Sequence, residues 1–216
     1  MSQSLRESIC EKIREEITYG KLSPGERLLE YKLVERFKTS RSPIREALCQ
    51  LEREGLITFE RNKGITVPKL SIEEVDEIYD LRILLESHAA HLSVERTEKN
   101  NVKYLKDLFR KMKTASKEYD LMSWIYNNTL FHNFFHENCG NKALDQILVN
   151  LKRRVHRYQY TIIRMPDHFK DYLEQHERIL RGYEEKDAKT VERCVKLHIK
   201  TIKEVLISYL NTFSSH

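Results

Sequence analysis

Apolar residues recur every four positions at Leu5, Ile9, Ile13 and Ile17, which predicts one face of a helix that Gly20 can end. Leu22-Ser23-Pro24-Gly25 reads as a turn, and a second short helix fits Glu30 to Phe37 through Leu33, Val34 and Phe37. Ser42-Pro43 predicts the start of a third. Serine is a good N-cap, proline is tolerated at the first helical position, and the residue before proline avoids helical geometry. Ala47, Leu48 and Leu51 form the inner face of that helix and Gly55 ends it. Two β-type runs follow, Leu56 to Phe59 and Ile65 to Val67, joined across Arg61-Asn62-Lys63-Gly64, where Asn and Gly supply the positive φ angles of a tight hairpin. Helix, helix, turn, helix and hairpin in this order predict a winged helix-turn-helix.

Pro68 closes that unit, and Ser71-x-x-Glu74 is a capping box that opens the next helix. Beyond it the pattern is helical throughout, with breaks near Thr97 to Asn101, Tyr119, Gly140, Pro166 and Gly182 to Asp187. About six helices are expected over residues 72–213. The fold class is therefore mainly α, with an N-terminal winged helix-turn-helix over residues 1–70 and an all-α helical-bundle domain over 71–216.

Composition narrows the class of function. A chain with 40% hydrophobic and 33% charged residues suits a globular protein with a real core. No apolar run approaches the roughly 20 residues that span a bilayer, and the polar N-terminus is not signal-like, so a cytoplasmic protein with no membrane partner is expected. Cys10, Cys49, Cys139 and Cys194 stand far apart, which argues against a disulfide framework or a thiolate zinc finger and suits small buried hydrophobes. The net charge of +5 permits a polyanionic partner without demanding one. Its distribution says more: Lys38, Arg41 and Arg45 fall in a stretch without an acid between Glu35 and Glu46, interleaved with Thr39, Ser40 and Ser42. All nine histidines lie beyond residue 87, so whatever histidine does belongs to the second domain.

A recognition helix presents its first turn to the major groove, where arginine bonds guanine O6 and N7 and short hydroxyl side chains bond phosphates or bases. Thr39, Ser40, Arg41, Ser42 and Arg45 fit that role, with Ile44 and Leu48 facing the core. At the hairpin tip, Arg61, Asn62 and Lys63 can reach the minor groove or flanking phosphates. A solvated helix start is the alternative reading of the same charges. Three runs occur together here at fitting separations: Gly20-Lys21-Leu22-Ser23-Pro24-Gly25-Glu26-Arg27-Leu28, Ser40-Arg41-Ser42-Pro43-Ile44-Arg45-Glu46-Ala47-Leu48, and Leu51-Glu52-Arg53-Glu54-Gly55-Leu56-Ile57. Together they resemble the GntR superfamily of bacterial repressors. The resemblance implies a homodimer that binds a double-stranded DNA operator with an inverted repeat.

In the second domain several apolar stripes are interrupted at their centres by polar residues, which is costly unless those residues have partners. One stripe runs Leu121, Ile125, Asn128, His132, Phe135; another Phe169, Leu173, His176, Leu180, Tyr183; the last Val191, Val195, His198, Ile202, Val205, Tyr209. Three imidazoles and one amide oxygen thus point into one bundle, a donor set that suits zinc, nickel and similar divalent ions. A single histidine on an apolar face is more often a hydrogen-bonded core residue. An all-helical domain after such a reader resembles the FadR-type subgroup and its FCD ligand-sensing domain. In that subgroup an Asp or Asn four residues before a His, and a His on each of two later helices, bind a metal. The resemblance implies Asn128, His132, His176 and His198 as ligands of a divalent transition metal, zinc or nickel, with manganese a further option. Asn128 stands where Asp is common, which removes a charge, and the turn from Gly182 to Asp187 is longer than the usual form.

His136, one turn from His132, makes a rival pair but reads as solvent-side beside Glu137-Asn138, and His88, His91, His156 and His168 read as surface or outlying groups. Arg82 occupies an inner position of its stripe, and Arg154 borders the stripe Leu144, Leu148, Leu151, Val155, Tyr158. A buried guanidinium wants a carboxylate. That partner is an internal acid such as Glu86, or a small carboxylate effector held jointly with the metal, as the family suggests. The expected function is a ligand-responsive regulator, in all expectation a repressor and not an enzyme. The rivals are a metal-dependent hydrolase, for which HExxH and any nucleophile motif are missing, and a constitutive DNA-binding protein with a structural metal site.

Overall fold

A computed structural model of the chain describes residues 5–18, 20–60, 64–69, 71–163 and 169–214. The elements in order are α1 (Leu5–Thr18), β1 (Arg27–Leu28), α2 (Glu30–Phe37), α3 (Arg41–Arg53), β2 (Thr58–Glu60), β3 (Gly64–Thr66), α4 (Ile72–Glu95), α5 (Lys99–Glu118), α6 (Leu121–Glu137), α7 (Lys142–Ile163), α8 (Phe169–Glu184) and α9 (Ala188–Ser214). They divide into two compact units, Met1–Ser71 with Arg153–Tyr160, and Ile72–Lys152 with Thr161–His216.

In the first unit the four-residue stripe of α1 meets α3. Ile9, Ile13 and Ile17 are buried with Leu33, Ile44, Ala47, Leu48, Leu51, Leu56, Ile57 and Val67 in one cluster. Leu5, expected on the same face, is exposed, because the first turn of α1 projects past that cluster. The expected hairpin forms as β2 and β3, but Leu56 and Ile57 enter the core ahead of it as an irregular segment. A third strand, β1, pairs antiparallel with β3, giving the order β1-β3-β2. It was not legible because two residues carry no alternation. Gly25, at φ 86°, sets it up: its N–H donates to Val67 O at 2.7 Å, a turn only glycine enters freely.

The start of α3 differs from expectation. Ser40, extended at φ −81° and ψ 172°, is the N-cap, and Arg41 is the first helical residue. Pro43 therefore sits third, still within the first turn, where an N–H has no intrahelical acceptor and its loss is tolerated. Ser42 is helical and its hydroxyl donates to Glu46 instead of capping.

Among the described residues the second unit holds α4, α5, α6, α8 and α9 together with α7 outside its segment Arg153–Tyr160. Tyr119, in the left-handed region at φ 55°, separates α5 from α6, and the Asp120 carboxylate accepts from Ser123 N to cap α6. The break between α8 and α9 falls at Lys186, also left-handed at φ 55°, and Asp187 caps α9 by accepting from Thr190 N at 3.0 Å. Gly182 is helical; a Cβ there would stand 3.0 Å from Val191 Cγ2, so its role is to let α8 and α9 approach. α6 is buried around most of its circumference, with Trp124, Phe131, Phe134 and Phe135 all inside. That places its polar residues in the interior whichever side they occupy.

Candidate nucleic-acid interface and metal centre

On the first unit, Ser40, Arg41, Ser42 and Arg45 are exposed around the first turn of α3, and Thr39 is half-buried. Because the cap is Ser40, Arg45 lies five residues past it, in the second turn. Its Nε donates to both oxygens of Glu30, at 2.9 and 3.1 Å, while the side chain stays 64% exposed. The bond holds the inner edge of the guanidinium and turns the edge with its two terminal nitrogens outward. Arg61, Asn62 and Lys63 lie outside the described residues. The frame behind α3 is braced by two further arginines. Arg14 on α1 makes a two-pronged bond to Glu54, at 2.9 and 3.0 Å, and Arg36 on α2 pairs with Glu16. Glu54 sits below the usual carboxylate range: burial alone would raise it, but the hydrogen bonds from Arg14 and Gln50 outweigh that.

In the second unit, α6, α8 and α9 bring His132, His176 and His198 together, with a ring nitrogen from each within 4.8 Å of the others. All three are buried. His132 and His198 stack with ring centres 4.9 Å apart, and His176 stands edge-on to both. The outer nitrogens determine the tautomers. His176 Nδ1 donates to the Tyr172 carbonyl at 2.6 Å, and His198 Nδ1 donates to Gln175 Oε1 at 2.7 Å. Each therefore presents an unprotonated Nε2 inward, the arrangement by which outer hydrogen bonds prepare histidine ligands. His132 Nε2 donates to His176 Nε2 at 3.0 Å.

Two acceptor atoms are left over. His198 Nε2 and Asn128 Oδ1 are buried and have no hydrogen-bond partner, an arrangement that costs about 1–3 kcal/mol per atom unless something else binds them. A tetrahedral ion with bonds of ~2.0–2.1 Å places nitrogen ligands about 3.3 Å apart. The triad spacing of 3.0 Å to at most 4.8 Å brackets that value, so the donor set fits a divalent ion. Burial pushes His176 down to about 4, and burial with mutual repulsion pushes His132 and His198 well below the ordinary imidazole value. All three are neutral at pH 7, the form that binds metals.

Arg82 on α4 is buried, with its Nε donating to Glu86 Oε1 at 2.6 Å and its guanidinium 4.5 Å from the centre of the Tyr79 ring. The internal bridge thus exists, yet Arg82 Nη1 remains buried without a hydrogen-bond partner. Its charge is close enough to contribute to the lowering of His132 and His198. Arg154 is half-buried and belongs to the segment Arg153–Tyr160 that clusters with the first unit.

The interior holds a cation that the pattern did not suggest. The buried face of α7 runs Leu144, Leu148, Lys152, Val155, so Lys152 occupies the stripe and Leu151 only borders it. Steps of four, four and three mark that face, and Lys152 is the residue to question on it. His136 corrects another reading: it is 3% exposed, not solvent-side, because α6 is enclosed up to its last turn. Its Nδ1 donates to Asp145. His88 is exposed, and His91 bonds Glu192 at 2.8 Å, joining α4 to α9 at the surface. The side chain of His156 and residue His168 lie outside what is described.

Residues 5–67 match the gntR family of bacterial regulatory proteins, and residues 77–201 match the FCD domain. The gluconate operon transcriptional repressor of Bacillus licheniformis is 32% identical over 194 residues, covering 90% of this chain and 73% of that protein. An uncharacterized HTH-type transcriptional regulator of Bacillus subtilis, YdhC, is 28% identical over 187 residues, covering 86% of this chain and 84% of its own. The structure of McbR/YncC from E. coli superposes with a TM-score of 0.86 at 23% identity, covering 97% of this chain and 100% of that one, a likeness of fold.

Proposed function

The chain belongs to the gntR family of bacterial transcriptional regulators, with an FCD domain behind its DNA-binding unit, and from that premise we infer that it is a repressor controlled by a divalent metal and a small carboxylate effector. Its relatives are regulators, not enzymes, which sets the hydrolase reading aside. Thr39, Ser40, Arg41, Ser42 and Arg45 are the residues for the operator, with Arg61, Asn62 and Lys63 on the wing. Among the described residues no helix is long and apolar enough to cross a membrane.

The observation that carries the metal is the pair of buried acceptors, Asn128 Oδ1 and His198 Nε2, left without partners beside two further inward nitrogens. His132, His176, His198 and Asn128 would hold zinc, nickel or manganese. The ion would supply a Lewis-acidic centre for an effector oxygen. This chain's own part is to keep three imidazoles neutral, to orient two of them through Tyr172 O and Gln175, and to offer Arg82 Nη1 to an anion. An effector alters DNA binding only by contacting two states of the domain differently. Arg82 is the natural point of difference, since its open donor gains a partner only when the effector is bound.

Metal content by native mass spectrometry, after chelation and reloading, tests the reading together with gel shifts on operator DNA. Stoichiometric metal is expected in the wild type and its loss in His176→Ala and His198→Ala, with operator binding retained. Asn128→Asp should hold metal more tightly by restoring an anionic oxygen. A wild type that takes up no metal under any loading makes the four residues a hydrogen-bonded core.

A further inference from the structure

Along α6, polar side chains in the interior build two sets one helical turn apart. His132 belongs to the triad. His136, four residues on and ~6 Å further along the axis, belongs with Asn133 to a second set built around Lys152. Lys152 Nζ donates to Asn133 Oδ1 at 2.7 Å and lies 3.3 Å from His136 Nε2, which can accept because the imidazole proton sits on Nδ1 and is donated to Asp145. An ammonium has three N–H donors, so one remains for a further acceptor. Lys152 is 7% exposed. Burial lowers it to about 8 while Glu86 pulls the other way, so it is still protonated at neutral pH.

The side-chain charges of this interior balance by themselves: Arg82 and Lys152 are positive, buried Glu86 is negative, and Asp145, a third exposed at the margin, adds a second negative charge. With Asn128 where a carboxylate would stand, every candidate ligand of the metal is neutral, and a divalent ion would keep both of its charges. Buried charge without compensation is strongly unfavourable. A single carboxylate would offset one of the ion's two charges, and a dicarboxylate would offset both.

The geometry points to a small dicarboxylate as the effector, one carboxylate at the histidine triad and Arg82 Nη1, the other at the ammonium of Lys152. A backbone of four to six carbons, at ~1.5 Å per bond, spans the turn of α6 that separates the two poles. The inference rests on the effector reading above and adds to it the class of ligand and a residue for its second charge.

The test is calorimetry on the full chain, metal-loaded and chelated, with succinate, malate and glutarate against acetate, lactate and butyrate. Metal content is measured on the same samples. A dicarboxylate is expected to bind at least about tenfold more tightly than a monocarboxylate of similar length, the scale of one hydrogen bond to a charged group. Lys152→Met should abolish that preference while leaving metal content and acetate binding unchanged, and Lys152→Arg should retain it. Should Lys152→Met fail to fold, Lys152→Gln replaces it. Equal binding of the two classes, a preference that survives in Lys152→Met or Lys152→Gln, or binding of no carboxylate overturns the proposal. A wild type that takes up no metal on reloading yet keeps a Lys152-dependent preference overturns the metal assignment and supports this one.

Discussion

Arg45 shows how one side chain serves two partners. Glu30 holds its Nε, and the terminal edge stays open to a base or phosphate. Replacing Arg45 or Arg41 with alanine should cost about 1–3 kcal/mol of operator affinity without altering the fold, the scale of one bidentate base contact. Glu30→Gln removes a negative charge beside the DNA and loosens the grip on Arg45. It should raise affinity for random DNA, steepen the salt dependence and lower the ratio of specific to random binding. Gel shifts on both kinds of DNA across a salt series decide between these outcomes and a merely structural pair. Arg41 and Arg45 stood out from sequence because cations beside hydroxyls at a helix start coincide there with the run Ser40 to Leu48 that resembles the family. Glu30 did not, since its partner lies fifteen residues away on another helix.

Among the elements, α1 and α3 are joined by more than apolar contact. Glu54 is held by Arg14 through two bonds and by Gln50 through a third, with little exposure. Arg14→Met should destabilise the first unit by about 2–3 kcal/mol, somewhat less than a fully buried pair because Arg14 is partly exposed. Urea unfolding followed by circular dichroism measures it, and a change near zero would show the pair to be dispensable. The bundle has its own pH signature. His176 is lowered from 6.5 to about 4 by burial, so the unfolded chain binds a proton in that window that the folded chain refuses. Stability is then greatest above about 6.5 and falls as pH drops towards 4. His132 and His198, displaced the same way, add to the slope. In chelated protein the melting temperature at pH 5 should lie below that at pH 7, and His176→Phe should flatten the difference.

For the molecule as a whole, we read the operator as an inverted repeat bound by a homodimer, because two-fold protein symmetry requires matching DNA symmetry. Leu81 and Leu84 on α4 are 48% and 61% exposed, and we propose them as side chains that a partner copy covers. Leu84→Glu should shift the protein towards monomer in light scattering at micromolar concentration and weaken operator binding, with helix content unchanged. A wild-type monomer under those conditions, or a footprint without a dyad, would count against the assembly.

The local pattern by itself determined much of this protein. Steps of three and four marked the helices, Gly25 marked a turn, and the polar residues inside apolar stripes marked Asn128, His132, His176 and His198. Each of those features acts within a turn or two of chain, where the period of an element decides what lies inside. Only the tertiary structure decided the rest. It paired β1 with β3, enclosed α6 so that His136 became a core residue, and turned Lys152 inward where Leu151 and Arg154 seemed the better reading of α7. It also left Arg82 Nη1 open beside the bridge to Glu86 that the four-residue spacing already offered. These outcomes depend on which helices surround which, and a helix enclosed on several sides no longer signals its buried face through periodicity.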